Sequence, residues 1–285
     1  MATYKNTAGT RMSVKLPGSL FGWDVAAFHE NFMVPALIRP YCSDVIEVLR
    51  ATQPGDVLEI GAGTGTLSRE IVGMGVSGLR SITATDISDP MLYVGQESAP
   101  VSFIRWVQAD AHNLPFDDGS YDTVLCQLAA MFFSDKVKAF CEAHRVMRYG
   151  GQIIVLVWDQ LRTNDFSFTV DEALRDLFSD YPPSYLSELA HGYSDVNLIV
   201  SDLRSAGFIV ASRARTISHV SECKDASSGA HAYTHGSPLR DEVVHRGDPL
   251  LIHATSVVEI ALTVAFGVGR IFGNSRAHLI LGVKP

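Results

Sequence analysis

The sequence predicts an α/β protein built on a doubly wound, mostly parallel sheet, and three observations lead there. Short β-rich runs alternate with helix-patterned segments through the middle of the chain, the signature of successive strand–helix–strand units. One of those runs leads straight into three alternating glycines, Gly61, Gly63 and Gly65, and then into a helix. The chain has 285 residues, 47% hydrophobic and 19% charged, enough to bury a large core and too apolar to be mostly disordered.

Taken in order, strands are predicted at 56–60, 81–85, 102–107, 123–126 and 152–158. Helices fit between them. Leu67 and Ile71 lie one turn apart after the glycines. Ser134 reads as an N-cap, with Asp135 in the first turn, for a helix carrying Val137, Phe140, Cys141 and Met147 on one side. Tyr149-Gly150-Gly151 reads as its stop. The rhythm then changes. Residues 160–195 are polar and aromatic and break at Asp180-Tyr-Pro-Pro; a helix at 195–206 and a strand at 208–217 follow, and a last strand falls at 278–283. The core is therefore assigned to 45–160, 195–218 and 276–285. Segments 1–44, 160–194 and 219–275 form cap and substrate-binding elements, mainly helical, of one elaborated domain.

Several classes are disfavoured by what is missing. With 31 acidic against 23 basic side chains the formal charge is −8, so nucleic acid held by bulk electrostatics is not expected. Four scattered cysteines make no disulfide framework, and no C-x-x-C pair suggests a metal. The first 20 residues lack the apolar run of a secretory signal. The most lipid-like stretch, 249–269, contains His253 and Glu259 and reads as a buried helix, not a membrane span. A cytoplasmic protein is expected. The sequence carries no signal for an oligomeric state.

The glycine turn is the most informative segment. Glycines there let the backbone bend sharply and let a ligand approach the main chain. A tight turn with no ligand is the plain alternative. A dinucleotide fingerprint reads G-x-G-x-x-G, but here Gly65 comes one position early and position 66 is threonine; no G-x-x-x-x-G-K-[ST] is present either. Glu59, just before the turn, suits a cationic ligand group better than a pyrophosphate. Asp86 ends the next strand, 21 residues after Gly65, where a carboxylate can accept from both hydroxyls of a ribose. A helix cap is the alternative at such a position, and Asp89 before Pro90 fits that role. Asp110, with the backbone N–H of Ala111, could pair with an adenine edge.

Read as an ordered series, LEIGAGTG, TDISDPML, ADAHNLPF, YDTVLCQLAAMFF and HRVMRYGG resemble the class I S-adenosylmethionine-dependent methyltransferases over roughly residues 50–160. The resemblance implies a Rossmann-like, seven-stranded sheet whose last strand is antiparallel beside the sixth. It implies that Glu59 and the backbone of Gly61, Ala62, Gly63 and Gly65 hold the methionine part of S-adenosylmethionine. Asp86 would take the ribose, Ile87 and Met91 the adenine faces, Asp110 and Ala111 the adenine edge, and Gln127 the methionine amine. Tyr149 stands where relatives usually have proline, a departure on the sheet's far side. The flanks, Trp23…Phe28-His-Glu-Asn-Phe32 and Gly236-Ser-Pro-Leu-Arg240, resemble more loosely a bacterial subgroup acting on small molecules.

Methyl transfer is an in-line displacement that releases S-adenosylhomocysteine; it needs close positioning and a dry pocket, and a base only if the acceptor must lose a proton. Candidate bases are His29, His235 and Asp159, none compelling, since an isolated residue of these types is more often an ordinary structural one. Phe21, Trp23, Phe28, Phe32, Met131, Phe132 and Trp158 are candidates for an apolar acceptor pocket, although core packing accounts for part of the set. The strand end at Cys126-Gln-Leu-Ala lacks the [N/D]-P-P-[Y/F] turn of DNA-amine methylation. A small, fairly apolar metabolite is expected, with oxygen, nitrogen and carbon methylation open. A protein that binds S-adenosylmethionine without transferring methyl, and an NAD-dependent dehydrogenase, are the alternatives.

Overall fold

The computed structural model describes residues 2–5, 11–14, 21–52, 54–98, 102–210, 214–247 and 249–285. Strands β1 (Ala2–Lys5) and β2 (Arg11–Val14) pair as an antiparallel hairpin. Helix α1 (Trp23–Phe28) runs into a π-helical segment, His29–Ile38, that contains Pro35. Proline has no N–H, so a rung of an α-helical ladder is missing there and the wider turn absorbs the defect. Helix α2 (Cys42–Arg50) buries Val45, Ile46 and Leu49 against the sheet.

The predicted alternation follows as β3 (Gly55–Ile60), α3 (Thr66–Gly73), β4 (Leu79–Asp86), α4 (Asp89–Ser98), β5 (Ile104–Gln108), β6 (Tyr121–Gln127), α5 (Lys136–Val146) and β7 (Met147–Trp158). After the cap helix α6 (Asp165–Leu177) and the core helix α7 (Val196–Ser205), which buries Ile199 and Leu203 in the sheet cluster, come β8 (Arg215–Cys223), α8 (Ala226–Thr234), α9 (Leu239–Val244), α10 (Pro249–Phe266) and β9 (Ile271–Val283). The seven-stranded sheet has the order β5-β4-β3-β6-β7-β9-β8. β3 to β7 pair parallel, while β9 lies antiparallel between β7 and β8. Strand order reverses between β3 and β6, which opens a crevice beyond their carboxyl ends. The glycine turn leaves β3 at that crevice.

Of the boundaries that differ from the sequence reading, four have a local reason. Asp135, not Ser134, caps α5, its carboxylate accepting from Lys138 N at 2.9 Å; the Ser134 hydroxyl turns to the His112 ring instead. The helix ends at Val146, and Tyr149-Gly150-Gly151 forms an irregularity inside β7, where pairing slips from Tyr121↔Met147 to Thr123↔Gln152. β8 begins at Arg215, seven residues later than expected, and Ile209 makes only an isolated bridge to Val283. Its inward positions include His219 and Ser221, so the apolar alternation that marks a strand is weak. β9 starts at Ile271 because residues 271–279 pair antiparallel with β8, and its polar start is tied on the other side as Asn274 N donates to Asp165 and Arg276 N to Asn164. Residues 215–223 and 271–283 thus belong to the sheet.

Helix α10 buries one face, Ala254, Thr255, Val258 and Leu262, whereas Ile252, Ile260 and Val264 are exposed. It is long and apolar enough to cross a membrane by length and composition. The expectation of a buried helix therefore holds for one face only.

Two apolar clusters result. One surrounds the sheet; the other joins α6, α8, α9, α10 and the two π-helical segments, His29–Ile38 and Tyr185–Ala190. Ile38, Phe132 and Trp158 pack against both. The space between the clusters is the site.

Candidate active site

A cavity of about 390 Å³ runs from the glycine turn to the second cluster. Its sheet side is built from strand ends. Gly61, Gly63 and Gly65 all have φ near +60°, the left-handed region that glycine enters without cost. Only one of them faces space: a Cβ on Gly63 would meet nothing within 4 Å, whereas one on Gly61 would strike Ala129 and one on Gly65 would strike Trp106. Gly63→Ala is therefore expected to cost the fold only about 1–2 kcal/mol of left-handed strain, while its methyl enters the cavity and weakens ligand binding. Denaturation and calorimetry on one variant check both halves.

Asp86, at the end of β4, accepts from the N–H groups of Gly63 and Ser88, both at 2.8 Å. Burial raises its pKa, against the pull of those two bonds. Gln127, at the end of β6, donates to Cys42 Sγ at 3.4 Å, and its Oε1 is buried without a partner. Leu128 next to it has φ +54°, the only non-glycine residue with positive φ among those described. A strained leucine beside a buried orphan acceptor marks a built site, not an accident of packing. Asp110 accepts from His112 N at 2.9 Å and from Nδ1 of the same residue at 2.6 Å. Burial would raise its pKa, but the His112 bonds hold it below the ordinary value. His112 Nε2 in turn accepts from Asp135 N at 3.2 Å, which assigns the ring proton to Nδ1. This wall presents acceptors at three stations, Gln127, Asp86 and Asp110. It suits a ligand rich in donors: an ammonium, paired hydroxyls, an exocyclic amine.

Of the residues singled out in the sequence, Gly61, Ala62, Gly63, Asp86, Ile87, Met91, Asp110, Ala111, Gln127, Phe21, His29, Phe132 and Trp158 meet in this one cavity. Others do not reach it. Glu59 lies behind the turn, fully buried, its carboxylate taken by the N–H and hydroxyl of Ser68; burial pushes its pKa up to about 7. Gly65 sits against Trp106. Trp23 is 57% exposed, edge-on to Tyr93. Phe28 and Phe32 stack on each other at 5.7 Å and His235 stacks on Phe28 at 4.9 Å, so these three rings belong to a separate aromatic layer. Met131 is buried in the sheet core. Asp159 is buried, its carboxylate in an ion pair with Arg276 (3.2 Å) and in contact with His278 Nε2 (3.0 Å).

The cap side holds residues the sequence did not single out. Phe166, Tyr185 and Tyr233 line it, with Ser167 and Tyr233 hydroxyls paired at 2.9 Å and Ser221 donating to Ser275 at 3.0 Å. Phe132 is stacked with Tyr185 and edge-on to Phe21. His191 closes this side. Its Nδ1 lies 2.8 Å from the Asp159 carbonyl, and burial lowers its pKa to about 4. Burial also lowers the pKa of His29, whose Nδ1 faces the Gly236 carbonyl at 3.0 Å. No periodic pattern announces the cap residues. His112 did have a signal, since it stands inside ADAHNLPF two residues after Asp110.

Comparison with known proteins agrees with this geometry. Residues 58–155 match the family described as "Methyltransferase domain". The ubiquinone/menaquinone biosynthesis C-methyltransferase UbiE of Idiomarina loihiensis is 28% identical over 200 residues, 65% of this chain and 78% of the relative. A demethylmenaquinone methyltransferase of Clavibacter sepedonicus is 32% identical over 162 residues, 53% of this chain and 64% of the relative. Among solved structures, the YcgJ protein from Bacillus subtilis shares the fold with a TM-score of 0.54 at 19% identity, covering 86% of this chain and 98% of that one. The ordered motifs, the strand order and the acceptor-lined crevice agree with that match, so residues 58–155 form a methyltransferase domain, and these findings support a class I S-adenosylmethionine-dependent family.

Proposed function

We propose that the chain transfers the methyl group of S-adenosylmethionine to a ring carbon of a small, largely apolar acceptor that carries a hydroxyl on the same ring, of phenol or hydroquinone type. The observation that carries this reading is the two-sided lining of one cavity: acceptor groups at the strand ends, aromatic rings and paired hydroxyls opposite them. In this assignment the Gly61–Gly63 backbone and Gln127 take the methionine end, Asp86 the ribose, Ile87 and Met91 the adenine faces, and Asp110 with Ala111 the adenine edge. Glu59 and Gly65 hold the turn from behind.

Bound S-adenosylmethionine supplies an electrophilic methyl group on a sulfonium. The residues of the chain do the remainder. Phe21, Phe132, Trp158 and Tyr185 exclude water and offer faces to a dispersed positive charge. The Ser167–Tyr233 and Ser221–Ser275 pairs offer polar points on an otherwise apolar wall. Quinone chemistry is favoured by the names of the two relatives, but their likeness to this chain is partial, and the matched domain ends at residue 155, before the cap. The cap would therefore set the acceptor. A cytoplasmic setting fits the four cysteines, all free.

Labelled S-adenosylmethionine offered with a short-chain prenyl naphthohydroquinone, simple phenols and small amines tests the reading. Carbon-bound label on the hydroquinone or a phenol is expected. Label on amines alone, or on none of the panel, would overturn it.

A further inference from the structure

We propose that His191 takes the hydroxyl proton of the acceptor on its Nε2, and that Asp159, through its backbone carbonyl, is the positioning residue that aims it. This rests on the reading above, that the acceptor carries a ring hydroxyl. A carbonyl oxygen only accepts, so the 2.8 Å contact fixes the ring proton on Nδ1 and leaves the lone pair on Nε2. The ring forms part of the cavity wall and lies 6.1 Å from Trp158, tilted by 38°. Among the described residues Nε2 has no hydrogen-bond partner.

The support behind His191 is rigid. Asp159 N donates to Arg276 O at 3.0 Å, across the last rung of β7 and β9. Its carboxylate is held by His278, by Arg276 and by Gln160 N. These are the charged and titratable groups on the β7 and β9 side of the imidazole. On the other side, His191 N donates to Leu186 O at 3.0 Å and closes the Tyr185–Ala190 turn. The sequence offered Asp159 itself as a base. In the fold its carboxylate is spent on Arg276 and His278, and its carbonyl does the aiming.

Proton accounting requires such a group. The new carbon–carbon bond forms as the sulfur–methyl bond breaks and the sulfur keeps that electron pair, leaving a neutral thioether with no site for a proton. The acceptor O–H breaks toward Nε2, its pair moving into the ring to make the ortho carbon nucleophilic. When the ring hydrogen at that carbon is lost to water, the ring regains aromaticity and Nε2 returns its proton to oxygen. One proton is released in all, and no oxidant or reductant is involved. His29 has a similar bond to a carbonyl, but it stands beside Phe21, whose carbonyl accepts from Ser88 next to Asp86, on the cofactor side of the cavity.

The test uses the full chain saturated with S-adenosylhomocysteine, and the probe is 4-nitrophenol, with 4-nitroanisole as control. Histidine side-chain ¹⁵N NMR, assigned with His191→Phe, should show the phenol moving the Nε2 resonance of His191 and the anisole leaving it still. No movement at saturating phenol overturns the proposal, whether or not any phenol is methylated. In turnover of a methylated acceptor, His191→Phe should lower kcat by roughly 10²–10⁴-fold with KM nearly unchanged. His191→Gln keeps an acceptor atom without basicity, so it should bind the phenol as the native chain does and still not recover kcat. Full activity in His191→Gln, or an equal loss from His29→Phe alone, would assign the proton elsewhere. A panel without any methylated hydroxyl compound sinks the functional reading and leaves the NMR result standing by itself.

Discussion

Replacing Glu59 with glutamine is expected to stabilise the ligand-free chain by up to roughly 3 kcal/mol above pH 7 and, at the same time, to weaken its hold on S-adenosylmethionine. Burial raises the carboxyl from its ordinary 4.5 to about 7, against the opposing bonds from Ser68. The folded state thus binds the proton more tightly than the unfolded one. Below pH 4.5 both states are protonated and the cost is nil. Between 4.5 and about 7 stability falls as pH rises, and above 7 the full cost is present. Glutamine is isosteric and keeps an acceptor for Ser68, but it carries no charge to desolvate. It also offers nothing to the positive charges of the bound ligand. Denaturant unfolding of both proteins across this pH window reads the first effect, and calorimetry the second. Parallel stability curves for native and variant chains would show that the carboxylate is not held at such a cost.

Asp86→Ala is expected to lower S-adenosylmethionine affinity by about 1–3 kcal/mol, or roughly five- to 150-fold. In the ligand-free chain the carboxylate is occupied by the N–H groups of Gly63 and Ser88. A ribose would add its hydroxyls to the remaining lone pairs, since each carboxylate oxygen accepts more than once. Stability should change little, because the two freed N–H groups face the cavity and can be solvated, and a buried charge is removed. Asp86→Asn should fall between, holding the loop with one oxygen. Calorimetry on the three proteins decides it; an unchanged affinity in the alanine variant would show that Asp86 only closes the turn.

The cofactor half was legible because its chemistry sits on contiguous motifs. Each of the strand ends at Ile60, Asp86, Gln108 and Gln127 delivers its residues within a few positions, and parallel strands bring those ends to one edge of the sheet. What the local reading could not supply was depth. Glu59 and Gly61 are two residues apart, yet one carboxylate turns behind the loop to Ser68 while the other residue opens on the cavity.

The acceptor half was not legible, and the reason is physical. Its walls come from segments far apart in the chain: Met33 and Leu37 before the sheet, Phe166 to His191 after β7, Ser221 and Tyr233 around α8, Asn274 and Ser275 on β9. Aromatic residues spaced for a helix face can pack on a neighbouring helix or on a ligand, and nothing local separates the two. Thus Phe28, Phe32 and Met131 went to packing, while Tyr185 and Tyr233, equally plausible as core, turned to the cavity.

The sequence by itself determined the sheet, its switch point and the family, since strand periodicity, glycine spacing and strand-end carboxylates are short-range properties. Only the tertiary structure decided which side chains face the acceptor, because a cavity wall is a boundary between two packed clusters and exists only once both have formed.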